Sequence, residues 1–534
     1  MIATALPFAA AVPLLMGTLL LVLRSPVWLR RTITLGTSTL VLGYAGLLIL
    51  VTRGGAVLAH PLGLWETSPG EPVVAIPFAA DMFSALMLAV TALLTLLCVA
   101  YGMVAGDDEQ HYFQPMVLML LAGVSGVVLT ADLFNLFVFI EVMLLPSYVL
   151  MSMLGGGHRL RAGRLYVTYN LFASGVLLAG VAFVYGVAGT VNFAELAGAG
   201  QESTAVAVAA GVLMVALGMK AAVVPVHGWL SNTYPDTSPA LSALFSGLHT
   251  KVAIYAIYRL YALIYGGDDR FLGVAVAIMV ATMVIGVLGA VGESTMRSIL
   301  TLHMVSQIGY ILLGLALFGP LGLAAGIFYL LHNTVVKGAL FLATGAVEQT
   351  YGTQRVYDLG GVARKEPLVA FAFVGAALAL TGIPPFSGFA AKYLLLHASI
   401  SAEQYGAAVA IVLVSLFTLL SMIKIWSNVF WGPLKREPES HPGGDTETSG
   451  TEADSSTAMA TGNGSLLQRG TTRTHARAGA PLTHVRLAMI IPALVLTLLA
   501  LGIGLGAQGL LVLTQEAASG LIDTSTYVEA VIGQ

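Results

Sequence analysis

Two stretches, ALGMKAAVVPVHGWL (residues 216–230) and LALTGIPPFSGFAAKYLLL (residues 378–396), decide how this chain folds. Each is part of an apolar run long enough to suit a bilayer core, and each is interrupted by proline. Proline removes a backbone donor and leaves carbonyls unpaired, a state tolerated at membrane depth only where the backbone is buried in protein or faces a wet cavity. A lysine stands near each break: Lys220 is five residues before Pro225, and Lys392 is seven residues after Pro385. One such helix would pass for a packing kink. A matched pair, each with a lysine, points to an ion pathway.

The rest of the chain agrees with a membrane setting. Hydrophobic residues make up 57% and charged residues 10%, against roughly 25% charged in a soluble domain. The 60 glycines suit close helix approach in lipid. A net charge of -3 carried by short loops suggests no nucleic-acid partner. The single Cys98 offers no disulfide framework and no cysteine-based metal site, and nothing in the sequence calls for a cofactor.

Apolar segments of about 20 residues lie near 1–23, 32–52, 78–103, 113–130, 132–154, 164–187, 205–229, 238–264, 270–291, 297–317, 321–349, 367–398, 405–432 and 486–512. The expected fold is therefore all-α and polytopic, with about fourteen transmembrane helices. The first segment lacks the positive flank of a signal peptide and is read as a span. Loop charge tests the count, because cytoplasmic loops hold the excess of Lys and Arg. Sixteen such residues fall in loops after odd spans and two, Arg53 and Arg270, in loops after even spans. Both termini are thus expected outside. The remaining six of the 24 cations, Lys220, Lys251, Arg259, Lys337, Lys392 and Lys424, lie inside spans. A cation at the bilayer centre costs at least a few kcal/mol, so these should face protein or water and act there.

The two broken spans, 7 and 12, are five apart. An odd offset means that spans 4–8 and 9–13 should form two five-helix repeats of inverted topology. The expected divisions are residues 1–112 (spans 1–3), 113–265 and 266–432 (the repeats), 433–484 (a linker) and 485–534 (span 14 and an external tail). The linker contains HPGGDTETSGTEADSSTAMATGNGS (441–465), a composition too polar to bury a core.

Polar residues recur at helical spacing: His303, Ser306, Gln307 and Tyr310 in span 10; Tyr329, His332, Asn333 and Lys337 in span 11; Tyr166, Tyr169, Asn170 and Ser174 in span 6. Such stripes also serve as interhelical hydrogen bonds, but on adjacent spans they suggest a hydrated axis. One acid, Glu141 in LFNLFVFIEVMLLPSYVL (133–150), lies well inside a span against five lysines. Those lysines cannot all be charged and paired, and a buried lysine that can release its proton is a relay element. Glu141 is expected to form a switchable ion pair with Lys220, passing protons toward Lys251. His227, His249, His303 and His332 suit the same task because imidazole changes charge near neutral pH. Gly504, Gly506 and Gly509 match a dinucleotide-binding glycine pattern but have no strand before them, so they read as packing glycines.

The run KAAVVPVHGWLSNTYPDTSPALSALFSGLHTKVAIYAIYR (220–259), with HMVSQIGY (303–310), LLHNTVVKGALFLATG (330–345) and TGIPPFSGFAAKYLL (381–395), resembles the antiporter-like subunits shared by respiratory complex I, membrane-bound hydrogenases and Mrp-type multisubunit sodium/proton antiporters. The SQIGY and PPFSGFAAK wording is most similar to the D-type subunits of the Mrp branch. N-type subunits of complex I, which would make this a redox-driven proton pump, are the alternative. The resemblance implies a proton-translocating transporter subunit in a bacterial plasma membrane rather than an enzyme. Its partners would be other membrane subunits of one complex, and H+ and Na+ the ions moved. It also implies proton-relay and gating roles for Glu141, Lys220, Lys251 and Lys392. His249, His332 and Lys337 would be secondary elements, joined by His227, His303 and Lys424 from the residue reading.

Overall fold

The computed structural model describes residues 2–23, 25–63, 75–153, 155, 157–432 and 484–533, with His158 as backbone alone. The linker expected at 433–484 therefore lies outside the described residues, save His484. The membrane helices run in chain order as α1 (Phe8–Val22), α2 (Val27–Val51), α3 (Met82–Ala105), α4 (Phe113–Leu129), α5 (Leu133–Ser152), α6 (Gly157–Ala188), α7 (Thr204–Ala221) and α8 (Pro239–Leu260). They continue as α9 (Leu272–Gly292), α10 (Met296–Ala316), α11 (Pro320–Tyr351), α12 (Pro367–Thr381), α13 (Ser387–Ser401), α14 (Tyr405–Ile425) and α15 (Leu487–Leu505). Among the described residues twelve helices are long and apolar enough to cross a bilayer; the shorter apolar helices α4 and α12 occupy two further expected segments. The protein is an all-α, multi-pass membrane protein.

Loops sort onto two ends, as alternate crossing requires. At one end Arg31 meets Asp108, Arg159 reaches the carbonyl of Asp236, and Arg297 pairs with Glu348. This basic end holds the loops after odd spans. At the other end Asp132 bridges to Asn192, and Arg270 bonds the Gly200 carbonyl.

Both expected breaks are present. α7 stops at Ala221, after which Ala222 takes φ 62°, a left-handed value uncommon for a residue with a Cβ. The chain then runs without helix to a short turn, Gly228–Ser231. α12 stops at Thr381, Gly382 takes φ 89°, and α13 resumes at Ser387. Around each break the element order is the same: two helices, a longer one, a broken one, and another helix.

Helix ends follow ordinary capping chemistry. Asp81 opens α3 with a capping box, accepting from the Ser84 amide at 3.0 Å while the Ser84 hydroxyl accepts from the Asp81 amide at 2.8 Å. Ser238 caps α8 ahead of Pro239, and Pro320 opens α11. α11 lies at the centre, its apolar window wholly buried, packed by α3, α8, α10, α12, α13 and α15.

Three local features depart from the sequence reading. An antiparallel hairpin, β1 (Leu58–Leu62) with β2 (Ile76–Ala80), pairs Leu58 with Ala80 and Leu62 with Ile76. The third span consequently starts at Met82 rather than 78, because apolar Pro77 to Ala80 reads like helix while Asp81 supplies the true start signal. The last span ends at Leu505 rather than 512, where Gly506 leaves helical geometry (φ -102°, ψ 31°). The tail beyond is helical: α16 (Ala507–Ile522) buries Thr514, Ala517, Ala518 and Leu521 on one face, and α17 (Ser525–Ile532) packs on both strands.

Gly504 is a packing glycine in the sense expected. A Cβ there would lie 2.1 Å from the Pro385 carbonyl oxygen, so α15 seals directly against the second break. Gly509 has open space around it.

Candidate ion pathway

The first break brings Lys220 to α5 and α6. Lys220 is 5% exposed, and its Nζ donates to Ser174 Oγ at 2.7 Å. Ser174 in turn donates to half-buried Glu141. The expected direct pair is therefore replaced by a three-membered chain. The physical reason is that α6 packs on both α5 and α7 and places its hydroxyl between them. Both bonds have an ionic partner, which makes them stronger than neutral ones.

His249 on α8 comes next. Its Nδ1 lies 3.3 Å from the hydroxyls of both Tyr166 and Tyr234, and Tyr166 continues to Ser147 at 3.0 Å. A cavity of about 10 Å³ lies between Lys220, Asn170, Trp229 and His249. That is close to the space one water needs. Lys220 and His249 lie within each other's electrostatic field.

Lys251, two residues along α8 from His249, is fully buried, with the Thr250 hydroxyl as a polar contact at 3.5 Å. Lys337 on α11 is also fully buried and bonds the Leu300 carbonyl at 3.0 Å. The two ammonium positions are electrostatically coupled. His303 feels both Lys337 and Lys392, and its Nε2 contacts Ser421 of α14. His332 feels Lys392 and bonds Ser387, at the start of α13, at 2.7 Å. Lys392 bonds the Thr381 carbonyl, freed at the second break, at 2.8 Å and lies 5.4 Å from the Tyr310 ring centre. Gln307 and Tyr329 tie the α10 and α11 stripes together at 2.5 Å.

Lys220, Lys251, Lys337 and Lys392 are thus all buried, on α7, α8, α11 and α13 in turn. Among the described residues none of the four pairs directly with a carboxylate. In the same bundle His249 Nε2, His303 Nδ1, His332 Nε2, Gln307 Nε2 and both polar atoms of Asn333 are buried without a protein partner among the described residues. Buried polar groups are nearly always hydrogen-bonded, so this is where water belongs.

Other members of the sequence set stand apart. Arg259 is neutralised by Asp81 at 2.7 Å, and Tyr527 of α17 covers its guanidinium at 4.9 Å. Lys424 bonds the carbonyls of Val291 (3.0 Å) and Glu293 (2.5 Å), closing the end of α9. His227 lies in the first break, half-buried, with Nδ1 unpartnered among the described residues. Sequence reasoning missed the connecting hydroxyls. Ser174 was visible only as one member of a stripe, and nothing in helical spacing marks Tyr234, Ser387 or Ser421, which lie on loops or on other helices.

Buried amines, imidazoles and hydroxyls inside an apolar bundle, without direct carboxylate partners among the described residues, mark a multi-pass membrane protein of the ion-handling class. Residues 130–418 match the family described as NADH:quinone oxidoreductase/Mrp antiporter, TM. The chain is 39% identical over 384 residues to a protein of Alkalihalophilus pseudofirmus named as the D-type subunit of a Na(+)/H(+) antiporter, covering 71% of this chain and 77% of that one. It is 31% identical over 527 residues to the Bacillus subtilis protein of the same name, covering 98% of each. A chain in the solved Mrp complex of Dietzia sp. DQ12-45-1b superposes with a TM-score of 0.89 at 49% identity, with 100% of both chains covered. The chain therefore belongs to the NADH:quinone oxidoreductase/Mrp antiporter family, and its likeness to the D-type subunits of the Mrp branch runs the full length.

Proposed function

We propose that this chain is the proton-translocating subunit of a multisubunit Na+/H+ antiporter, resident in the bacterial plasma membrane with other membrane subunits of the same complex. It acts as an ion transporter, not an enzyme. The buried lysines are the observation that carries the reading: amines without direct carboxylate partners among the described residues, set among imidazoles and hydroxyls and flanked by two broken helices. The names carried by the similar proteins favour the antiporter over the N-type, redox-driven alternative.

Protons reach these lysines through one half-channel and leave through the other. Glu141 and Lys220 form the gate, with Ser174 as the hydroxyl that closes it. When the chain Glu141–Ser174–Lys220 is closed, Lys220 keeps its proton. When it opens, an ammonium that has lost its counter-charge gives the proton up, and the water-sized gap leads it toward His249 and Lys251. Lys337, His332 and Lys392 continue the path across the centre, with His303 alongside. Lys392, held by a carbonyl of the second break, stands at the far exit. Residues 113–265 and 266–432 act as two inverted repeats, each supplying one half-channel. Both termini lie outside, so the basic end is cytoplasmic. Proton influx down its gradient drives sodium efflux.

The test is antiport in inverted vesicles carrying the whole complex, followed by a pH dye on adding sodium. Lys220→Ala and Lys392→Ala should each abolish exchange with assembly preserved. Wild-type exchange in either variant removes that lysine from the path.

A further inference from the structure

At the basic end, residues 232–238 join the first break to α8, and Tyr234 in this loop touches His249. The loop is fastened from three directions. Arg159 at the start of α6 donates to the Asp236 carbonyl at 3.1 Å. Arg297 at the start of α10 donates to the Thr237 carbonyl and pairs with Glu348 of α11. From the α3–α4 loop, Asp107 accepts the Ser238 hydroxyl at 2.8 Å. Ser242 on the first turn of α8 meets the Thr237 hydroxyl of the loop at 2.6 Å and donates to the Tyr234 carbonyl at 3.1 Å. Movement at Ser238 is therefore passed to Tyr234.

Resting on the antiport reading above, we propose that Asp107 is a positioning residue for transport: ionised, it fastens through Ser238 the loop that presents Tyr234 to His249, and proton uptake from the basic end loosens that loop and slows exchange.

Asp107 is 6% exposed, and among the described residues Ser238 is the side chain that hydrogen-bonds its carboxylate. The charged and titratable groups around it are Tyr101 of α3, the adjoining Asp108, Arg159, Arg297 and Glu348. Asp108 is itself engaged by Arg31 of α2 and Gln114 of α4, and Tyr101 contacts Gln349. Burial pushes the Asp107 carboxyl up to about 6, while the Ser238 hydroxyl and Arg159 work against it. Protonation weakens the Ser238 bond, since an ionised acceptor holds a donor about twice as strongly as a neutral one. It also removes a negative charge from beside Arg159 and Arg297, while Arg297 keeps its pairing with Glu348. For one group titrating near 6, the ionised fraction falls about tenfold between pH 7 and pH 5.

The experiment is sodium-dependent exchange by the intact complex in inverted vesicles, with bath pH stepped from 8 to 5. Wild type should lose about tenfold in rate between pH 7 and 5. Asp107→Asn should be slow at pH 7 and nearly flat across the range, while Asp107→Glu keeps the acid limb. An acid limb of wild-type position and depth in Asp107→Asn overturns the proposal, because a merely structural residue would lower the rate at all pH values alike. Should Asp107→Asn fail to assemble, Ser238→Ala decides. Losing that hydroxyl undoes the fastening whatever the charge on Asp107, so the rate should be low at pH 7 and nearly flat across the range, and an acid limb of wild-type position and depth overturns the proposal. Absence of any sodium-dependent exchange in wild type would sink the antiport reading itself, whereas wild-type exchange with no acid limb sinks the Asp107 inference alone.

Discussion

Ser174→Ala is the sharpest single perturbation, because one hydroxyl joins the two ionic ends of the proposed gate. It accepts from Lys220 at 2.7 Å and donates to Glu141. Alanine keeps the α6 backbone and removes both bonds. A hydrogen bond to a charged group is worth about 1.5–3 kcal/mol, so losing two weakens the closed gate by about 3 kcal/mol at the lower end. That equals roughly a hundredfold shift in the closed-to-open ratio. With Lys220 no longer held in its loading position, sodium-dependent proton exchange should fall between tenfold and a hundredfold. Ser174→Thr, which restores a hydroxyl, should recover most of it. The assay is the pH-dye measurement on inverted vesicles, with complex assembly checked by native electrophoresis. Exchange within twofold of wild type in an assembled Ser174→Ala complex would refute the idea that this hydroxyl closes the gate.

Three further outcomes follow from the packing. Asp81→Asn leaves the Arg259 guanidinium buried without its counter-charge; breaking a buried pair costs about 3–5 kcal/mol, so the thermal midpoint of the purified complex should drop, and an unchanged midpoint contradicts the pairing. Gly504→Val drives a side chain into the Pro385 carbonyl and should lower the yield of assembled complex, whereas Gly509→Val, with open space, should not; equal yields would show that α15 does not seal the second break. Lys424→Gln should retain more than half of wild-type exchange, because Lys424 closes the end of α9 away from the proposed path; full loss would return it to the relay.

Much of this was legible in the sequence because membrane physics leaves strong marks. Apolar length gives the spans, proline at 225 and 385 gives the breaks, and cations outside any loop give Lys220, Lys251, Lys337 and Lys392. What could not be read depends on which helices become neighbours. The hydroxyl between Glu141 and Lys220 comes from α6, the partner of His303 from α14, and the partner of His332 from the start of α13. Stripe periodicity shows that a face is polar, not what it meets. The hairpin at 58–62 and 76–80 escaped for a different reason. Its second strand is short and apolar and adjoins a span, so its pattern merges with the helix that follows. Arg259 was legible only as a cation inside a span, because the Asp81 and Tyr527 that close over it are both far away in sequence.

The central claim is that protons cross sideways through the bundle, and the link to cut is Lys337, coupled to Lys251 on one side and sharing His303 with Lys392 on the other. Lys337→Met preserves apolar bulk in α11 and leaves both broken helices and the Glu141–Ser174–Lys220 gate untouched. Exchange by the assembled complex in inverted vesicles should then fall below about a tenth of wild type, the loss of roughly 1.4 kcal/mol or more in transport terms. Wild-type exchange in that variant would mean that protons do not travel along the buried lysines.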